Sequence, residues 1–372
     1  MEMYREAVSL QPVLLPRRHL RKMVRLARTL YRLSRLPAYR EAVFPQVPEI
    51  ARIDPGHDSV MMGYDFHLTP GGPRLIEVNT NAGGWRLALL AQFGESVRNP
   101  RSLPSRTRRR LVGPFAEELR AWSDGALERP SVMAIIDENP AEQFLFGEMD
   151  FCRRLLAEEW GIPVLVADPA EFEAGAKGVF HQGRPIELVY NRHCDFYLES
   201  EAMAGFRAAC LAGTVCLSPH PFSYGLLGDK RRLAFWSDPA ALTRLGLEEK
   251  DSRLLAELVP ESRMLTTLDE AAVWQQRNDW VFKPVDRFGS RGVLLGRKIS
   301  RKRFDGLDPA ETLAQRLEPP SMTGGGEFPE MKTDYRLYVY RNRILGVAAR
   351  LYQGQVTNLR TPGGGFAPVR LV

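Results

Sequence analysis

The stretch MMGYDFHLTPGGPRLIEVNTNAGG, residues 61–84, combines two apolar strands with a turn rich in glycine and proline at 69–73. The first strand carries Asp65, and the second ends in Glu77 and Asn79. Strand alternation places Glu77 and Asn79 on one face, and a hairpin brings Asp65 beside them. Two carboxylates and an amide oxygen are hard ligands that suit Mg²⁺. We therefore predict a metal site here; the alternative is a hairpin with polar outward positions.

A second group of polar residues lies far along the chain, after the apolar strand VFKPV at 281–285. Lys283 lies in that strand, and a loop follows that contains Gly289, Ser290, Arg291 and Gly292. The lysine supplies a point charge and glycine lets backbone N–H groups close over phosphate oxygens, so the pair suits a nucleoside triphosphate. Taken alone, the loop is also typical of an ordinary hairpin turn.

The tail carries a third pattern, TLAQRLEPP at 312–320 and KTDYRLYVYRNRILGVAARLYQGQVTNLRTPGGGFAPV at 332–369. It resembles the ATP-grasp ligases, most closely those of the bacterial glutathione synthetase type. The matching residues are Gln315, Asp334, Arg336, Arg350, Asn358 with Leu359, and Gly363 to Gly365. In those ligases an Asp strand and a Glu-x-Asn strand come after this pattern, whereas here Asp65, Glu77 and Asn79 precede it. The resemblance implies a circularly permuted ATP-grasp protein.

The resemblance also implies roles for individual residues. Lys230 and Lys283 would hold phosphates beneath a cover at 288–292. Gln315 would occupy the adenine hinge, and Glu318 would take a ribose hydroxyl. The adenine ring would lie between the apolar side chains of Leu313, Leu317 and Val281. Arg336 and Arg350 would stabilise the phosphoryl group in transfer, because arginine forks match phosphate oxygens. Asn358 would complete the metal shell or contact the γ-phosphate. The residues themselves give two further expectations: Asp334 shares a strand face with Arg336 and would orient it, and Gly363 to Gly365 would let the backbone approach the ligand. The alternative interpretation is that Leu317 is an ordinary core residue and that Arg336 and Arg350 are ordinary surface arginines.

Composition bounds the class of protein. The 372 residues are 44% hydrophobic and 26% charged, enough for two or three domains with a packed core. No apolar run approaches the roughly 20 residues of a membrane helix, and we expect neither a signal peptide nor a membrane partner. The four cysteines lack paired metal spacing, so we expect buried thiols in a reduced cytoplasm.

Arginines dominate a segment that runs from Arg17 to Arg35, with apolar residues at helical spacing between them. The segment is typical of an amphipathic helix with a solvated face. The other interpretation is a surface that holds an acidic partner such as a carrier protein, a phosphorylated substrate or RNA. No RNA-binding motif with interleaved aromatic residues supports a nucleic acid.

We predict an α/β fold in three regions. Residues 1–125 contain the basic helix and the metal hairpin that completes the ATP-grasp domain, 126–228 form a Rossmann-like substrate domain, and 229–372 form the nucleotide-binding region. In the middle region, strand–helix alternation predicts a parallel sheet with a helix over Ala141–Trp160. The carboxyl end of a strand is where such sheets bind ligands, and three polar residues lie at one such end: Asn191, Arg192 and Asp195. The alternative is that these residues cap the loop. The insert 319–332 is interpreted as a lid or a substrate loop.

The resulting hypothesis is an ATP- and Mg²⁺-dependent ligase that joins a carboxylate to an amine through an acylphosphate. Amino acids or peptides are the expected substrates, and the resemblance leaves a homodimer open. Two alternatives remain: phosphoryl transfer to a non-carboxylate acceptor, and a non-catalytic nucleotide-binding protein that holds an acidic partner by its basic helix.

Overall fold

The computed structural model describes residues 7–285, 292–359 and 361–372. Its strands, in chain order, are β1 Val13–Leu15, β2 Met62–Thr69, β3 Gly72–Asn79, β4 Met133–Ile136, β5 Val164–Ala167, β6 Glu173–Gly175, β7 Gly178–His181, β8 Arg184–Pro185, β9 Leu188–Asn191, β10 Cys216–Ser218, β11 Ser262–Met264, β12 Trp280–Pro284, β13 Leu294–Leu295, β14 Thr312–Arg316, β15 Ser321–Gly325, β16 Phe328–Tyr340, β17 Arg343–Tyr352, β18 Gly365–Ala367 and β19 Val369–Leu371. Its helices are α1 Arg17–Ser34, α2 Pro37–Val43, α3 Trp85–Phe93, α4 Ser105–Trp122, α5 Phe146–Trp160, α6 Ala204–Leu211, α7 Pro221–Ser223, α8 Arg231–Trp236, α9 Pro239–Arg244, α10 Glu249–Leu258, α11 Glu270–Gln275 and α12 Arg301–Asp305.

The early hairpin joins the late strands in one antiparallel sheet. Its strand order is β18-β17-β16-β2-β3, with β15 also paired to β16. The register places Arg336 opposite Asp65, and Asp65 opposite Glu77. The hairpin predicted from residues 61–84 is therefore confirmed, and it lies beside the strand that carries Arg336.

Alternation along these strands separates a core face from a polar face. Tyr64, Phe66 and Leu337 are fully buried in a cluster that also contains residues of α1. The intervening residues, including Asp65 and Arg336, point to the opposite face. The sheet thus packs one side on the basic helix and offers the other side to the site.

The middle of the chain forms the predicted parallel sheet, in the order β10-β9-β4-β5. Its helix begins at Phe146 and not at Ala141 as predicted. The earlier residues form a separate 3₁₀ turn at Pro140–Glu142. Asn139 has a φ of 39° and Gln143 is extended, so the backbone cannot run continuously helical through this stretch.

A third sheet, β11-β14-β12-β13, is antiparallel and has one apolar face. Phe282 and Ala314 pack in that face, whereas Lys283 and Gln315 belong to the other. The insert 319–332 is largely strand, because β15 pairs with β16 to form a hairpin.

The segment from Ala7 to Leu15 runs beside the last strands. β1 pairs in parallel with β19, and the Ser9 N–H donates to the Phe366 carbonyl at 2.7 Å. Gly365 has a φ of 97°, and a Cβ there would lie 2.1 Å from the Ala7 carbonyl oxygen. A Cβ on Gly364 would lie 2.5 Å from the Leu351 carbonyl oxygen. These two glycines are therefore required by the chain's own backbone, and the expectation that they also let the backbone approach a ligand stays a prediction.

Two expectations from composition can be compared with the structure. All four cysteines are free thiols, and three of them are buried. Within the described ranges, no helix has both the length and the apolar character of a membrane-spanning segment.

Candidate functional site

Two carboxylates and two guanidinium groups form a buried network on the polar face of the sheet. Arg336 donates from Nε and Nη2 to the two oxygens of Asp65, each at 2.6 Å. Arg350 Nη2 lies 2.9 Å from Asp65 Oδ2, and Arg350 Nε donates to Asp334 Oδ1 at 2.6 Å. Asp334 therefore orients Arg350, and the prediction that it orients Arg336 is wrong. Its register explains this, because Asp334 lies directly opposite Arg350.

The network controls the protonation of Asp65. Burial by itself would raise the pKa of Asp65, but the guanidinium groups of Arg336 and Arg350 together hold it well below its usual range. Both oxygens of Asp65 are thus negatively charged and already engaged by arginine.

Glu77 and Asn79 extend the cluster toward solvent. Asn79 Nδ2 donates to Glu77 Oε1 at 3.2 Å and lies 3.5 Å from Asp65 Oδ2. Both side chains are half-buried. The three predicted metal ligands therefore lie together and fit Mg²⁺ in kind, because all three can present oxygens. Asp65 is the most heavily engaged of the three, because both of its oxygens accept from arginine.

Lys283 lies on the neighbouring sheet and faces β3. Its Nζ donates to the Gln315 side-chain oxygen at 2.6 Å and to the Ile76 carbonyl at 2.9 Å. Burial lowers its pKa to about 8, and the charge of Lys230 acts in the same direction. Lys230 is half-buried and immediately precedes α8. The two lysines thus belong to the same electrostatic neighbourhood as Glu77.

The remaining predicted site residues differ in what they contact. The backbone carbonyl of Glu318 accepts from His67 Nδ1 at 2.6 Å, which places the hinge segment against β2. The Leu317 N–H donates to the Asp279 carbonyl at 2.8 Å. Asn358 organises its own loop by donating to the Gln353 carbonyl at 2.7 Å. Gly292 has a φ of 76°, whereas Gly289, Ser290 and Arg291 lie outside the described residues.

The loop 80–84 connects the arginine network to the parallel sheet. The Gly83 carbonyl accepts from Arg336 Nη1 at 3.0 Å and from the Tyr338 hydroxyl at 3.1 Å. On its other side, the Gly84 N–H donates to Glu148 Oε1 at 3.1 Å. Arg192 donates to the Ala82 carbonyl at 3.4 Å and also contacts the Asn81 side chain. One short loop therefore joins residues from both sheets.

The carboxyl ends of β4 and β9 form the other wall of this region. Burial raises the pKa of Asp137, which follows β4, to about 6. Asn191 and Asp195 instead accept hydrogen bonds from nearby backbone N–H groups at 2.7–3.0 Å. For these two residues the loop-capping alternative agrees with the structure, and Arg192 alone points to loop 80–84.

Two solved structures are similar to this chain in fold. A glutathione synthetase-like effector from Globodera pallida, solved in its apo form, superposes with a TM-score of 0.61 at 11% identity. The match covers 98% of this chain and 90% of that one. The fold is that of the glutathione synthetase-like proteins. A candidate γ-glutamylcysteine synthetase from Methylobacillus flagellatus KT gives 0.52 at 10% identity, over 92% of this chain and 85% of that one.

At these identities the likeness concerns the fold, and the site must be argued from its own residues. No protein-family model matches the sequence, and no curated protein matches it.

Sequence reasoning missed Glu148 and Asp137. The run NTNAGG at 79–84 predicted a floor of the site that includes Gly83, because small residues that follow a polar strand end allow close approach of other groups. Glu148 is a fully buried charge in α5, on a face with Met149 and Cys152. A carboxylate within an apolar helix face is a signal for a buried partner.

Proposed function

We propose that this chain is an ATP- and Mg²⁺-dependent carboxylate–amine ligase with a circularly permuted ATP-grasp arrangement. The observation that carries the proposal is the convergence of Asp65, Glu77 and Asn79 with Arg336 and Arg350 on one face of one sheet. These residues come from opposite ends of the chain. Oxygen ligands for a cation beside two guanidinium groups suit a polyphosphate at the point where a phosphoryl group moves.

Lys283 and Lys230 support the nucleotide end of the proposal. Lys283 gives two of its three N–H donors to an amide oxygen and a backbone carbonyl, which leaves one donor for a phosphate oxygen. A polyanion would also favour its charged form, because it offsets the desolvation that lowers the pKa of Lys283. Gln315, already bonded to Lys283, fixes the strand from which the adenine hinge is proposed to extend.

Glu77 and Asn79 are the residues proposed to hold the cation first. A bound Mg²⁺ would supply charge neutralisation for phosphate oxygens. In the structure Asp65 neutralises Arg336 and Arg350, and we propose that both arginines move from Asp65 to the phosphate when the nucleotide binds. Asp65 would then be free to complete the oxygen ligand set.

The proposed reaction has two displacements. A substrate carboxylate oxygen attacks the γ-phosphorus, the bond to the β-phosphate oxygen breaks, and ADP leaves. The neutral amine then attacks the acyl carbon of the acylphosphate, and the bond from that carbon to the phosphate oxygen breaks. The nitrogen releases one proton to solvent, and inorganic phosphate leaves with an amide as product. Arg336 and Arg350 would stabilise the charge on the transferred group, while Asn358 remains a proposed contact through its loop.

The substrates are proposed to enter at the carboxyl ends of β4 and β9. Asp137 and Arg192 lie there with opposite charges, which suits a molecule that carries both an ammonium and a carboxylate, such as an amino acid or a short peptide. Loop 80–84 is the contact between this wall and the arginine network.

Nucleotide binding is tested by thermal unfolding with Mg²⁺ and a non-hydrolysable ATP analogue. Ligand at a hundredfold excess over its dissociation constant stabilises the native state by about 2.7 kcal/mol. We expect a Mg²⁺-dependent rise that is lost in the variant Glu77→Gln with Asn79→Ala. The matched control, Glu173→Gln with Asn342→Ala, changes two exposed residues outside the candidate site and should keep the rise. Absence of a rise with every nucleotide would exclude the proposal.

Turnover is tested by ADP release with paired panels of carboxylates and amines. ADP and phosphate that appear only when both substrates are present would support ligation. ADP release without an amine would favour phosphoryl transfer to another acceptor. Nucleotide binding without ADP release across the panels would favour the non-catalytic alternative.

A further inference from the structure

A cleft of about 840 Å³ lies between α8, α9, the segment 42–47 and the strand β11. None of the candidate site residues lines it. Its volume falls within the range of small-molecule sites. Phe235, Leu245 and Met264 supply an apolar wall. The cleft is therefore large enough for an organic molecule and separate from the residues of the proposed function.

Three arginines line the cleft, and they differ in how far they are neutralised. Arg231 is held by Asp229 and Glu311, each at 2.9 Å. Arg263 lies 3.9 Å from its nearest carboxylates, on Asp238 and Glu261, which is long for an ion pair. Arg244 is exposed and has no ion pair within the described residues. The cleft thus retains positive charge that its own carboxylates do not neutralise.

A fourth arginine lies directly behind the wall. Arg232 is fully buried and donates from Nη2 to the Gln46 side-chain oxygen at 2.7 Å. Its Nε and Nη1 have no hydrogen-bond partner among the described residues. Burial of a guanidinium group without an ion pair is costly, and Arg232 has none within the described ranges, so its positive charge is unfavourable at this position.

Gln46 connects the two observations, because the same residue accepts from Arg232 and lines the cleft. An anion that displaced the Gln46 side chain would meet the Arg232 guanidinium from inside and Arg244 from the rim. Its body would contact Phe235 and Leu245. This combination selects a negatively charged group on an apolar body.

We propose that this cleft is a second ligand site, distinct from the nucleotide site, that binds a small organic anion bearing a carboxylate or a phosphate. Gln46 occupies the anion position in the empty protein and moves aside on binding. Arg232 and Arg244 then share the anionic group.

The site is tested by calorimetric titration at low ionic strength with phenyl phosphate, phenylacetate and the neutral benzyl alcohol. We expect saturable binding of at least one of the two anions and at least tenfold weaker binding of benzyl alcohol. The stronger anion identifies the phosphate or the carboxylate as the preferred group. Arg244→Gln should weaken anion binding about tenfold. Arg253→Gln is the matched control, since Arg253 is an exposed arginine of α10 that does not line the cleft.

Lys283→Met separates this site from the nucleotide site, because anions that bind in the cleft should bind this variant as they bind the wild type. Arg232→Met should unfold at the same or a higher temperature without anion, yet should gain no stability from the anion that stabilises the wild type. The proposal is overturned if neither anion binds saturably, if binding is lost in Lys283→Met but kept in Arg244→Gln, or if Arg232→Met keeps the full anion response.

Discussion

The charge of Asp65 balances two buried guanidinium groups, so its loss should be costly. Asp65→Asn keeps the size of the side chain but leaves Arg336 and Arg350 without their shared counter-charge. Removal of one partner from a buried ion pair costs about 3–5 kcal/mol. We expect chemical denaturation to show a loss of this order. Glu77→Gln, which changes a half-buried carboxylate outside the arginine contacts, should cost about 1 kcal/mol or less.

A second substitution tests whether the cost arises from unpaired charge. Arg336→Met in the Asp65→Asn background removes the guanidinium group whose carboxylate partner was Asp65, whereas Arg350 keeps its ion pair with Asp334, so the double variant should regain part of the lost stability. Arg343→Met, at an exposed arginine on the neighbouring strand β17, should give no such recovery. Equal stability of both double variants would contradict the charge-balance explanation.

Asp137 predicts a pH dependence with a defined sign. Its folded pKa of about 6 exceeds the unfolded value of about 3.9, so the folded protein holds the extra proton in that window. The stability that this proton provides is present below about pH 4 and is lost as the pH rises through about 6. Asp137→Asn should therefore gain about 1 kcal/mol over the wild type at pH 7.5, after allowance for solvent screening, and nearly nothing near pH 4.

Unfolding midpoints measured from pH 4 to 7.5 would show the difference between Asp137→Asn and the wild type widening with pH. The exposed Glu173→Gln serves as a control without such a trend. A difference that stays constant, or that narrows as the pH rises, would rule out this account of Asp137.

Between elements, the buried carboxylate of Glu118 joins α4 to the turn between β16 and β17. It accepts from the Tyr340 hydroxyl at 2.6 Å and from Arg341 Nη2 at 2.9 Å, and its other oxygen lies 3.2 Å from His57 Nδ1. Glu118→Ala removes this acceptor from all three groups and from the Asp58 N–H, and we expect a loss of about 3–5 kcal/mol in the free energy of unfolding.

The neighbouring residue offers a control on the same helix. Glu117 is half-buried and pairs with the exposed Arg343, a contact worth about 1 kcal/mol or less. If Glu117→Ala proves as destabilising as Glu118→Ala in urea titrations, helix α4 itself is sensitive and the Glu118 contacts are not responsible.

The elements themselves were largely readable from the sequence. Apolar and polar residues alternate over 62–79, and residues 133–136 and 164–167 are apolar runs. Both patterns predict strands, and strands are present at these positions. The sequence alone did not reveal which residue each charged side chain would pair with. Asp334 precedes Arg336 by two residues and shares its face, yet strand register places it opposite Arg350, a pairing that depends on the neighbouring strand. The start of α5 depends on Asn139 and Gln143, whose backbone angles periodicity does not reveal.

At the scale of the whole molecule, the association of the early hairpin with the late strands was implied by the resemblance, in which an Asp strand and a Glu-x-Asn strand follow the tail pattern directly. The cleft beside α8 was not predictable in this way. It is formed by segments 42–47, 231–245 and 263–267 together with Ala310 and Glu311, and no local pattern relates them. The same is true of loop 80–84, whose contacts come from β16, β9 and α5.

That loop should couple the two sheets energetically. Arg336 holds it from the mixed sheet through Gly83, and Arg192 holds it from the parallel sheet through Ala82. Once either arginine is lost, the loop is less well ordered, and the remaining arginine has less to stabilise. Arg336→Met and Arg192→Met should therefore combine to less than the sum of their separate costs, with an interaction energy of about 1 kcal/mol or more.

A double-mutant cycle measured by urea denaturation tests this coupling. The control cycle pairs Arg336→Met with Arg244→Gln, a cleft residue with no contact to the loop, and should be additive within about 0.5 kcal/mol. Additivity in both cycles would mean that the two sheets hold the loop independently. In that case nucleotide binding at the arginine network would have no route through loop 80–84 to the substrate wall at Asp137 and Arg192. Coupling in the first cycle alone would identify the loop as the connection through which the two halves of the proposed site act together.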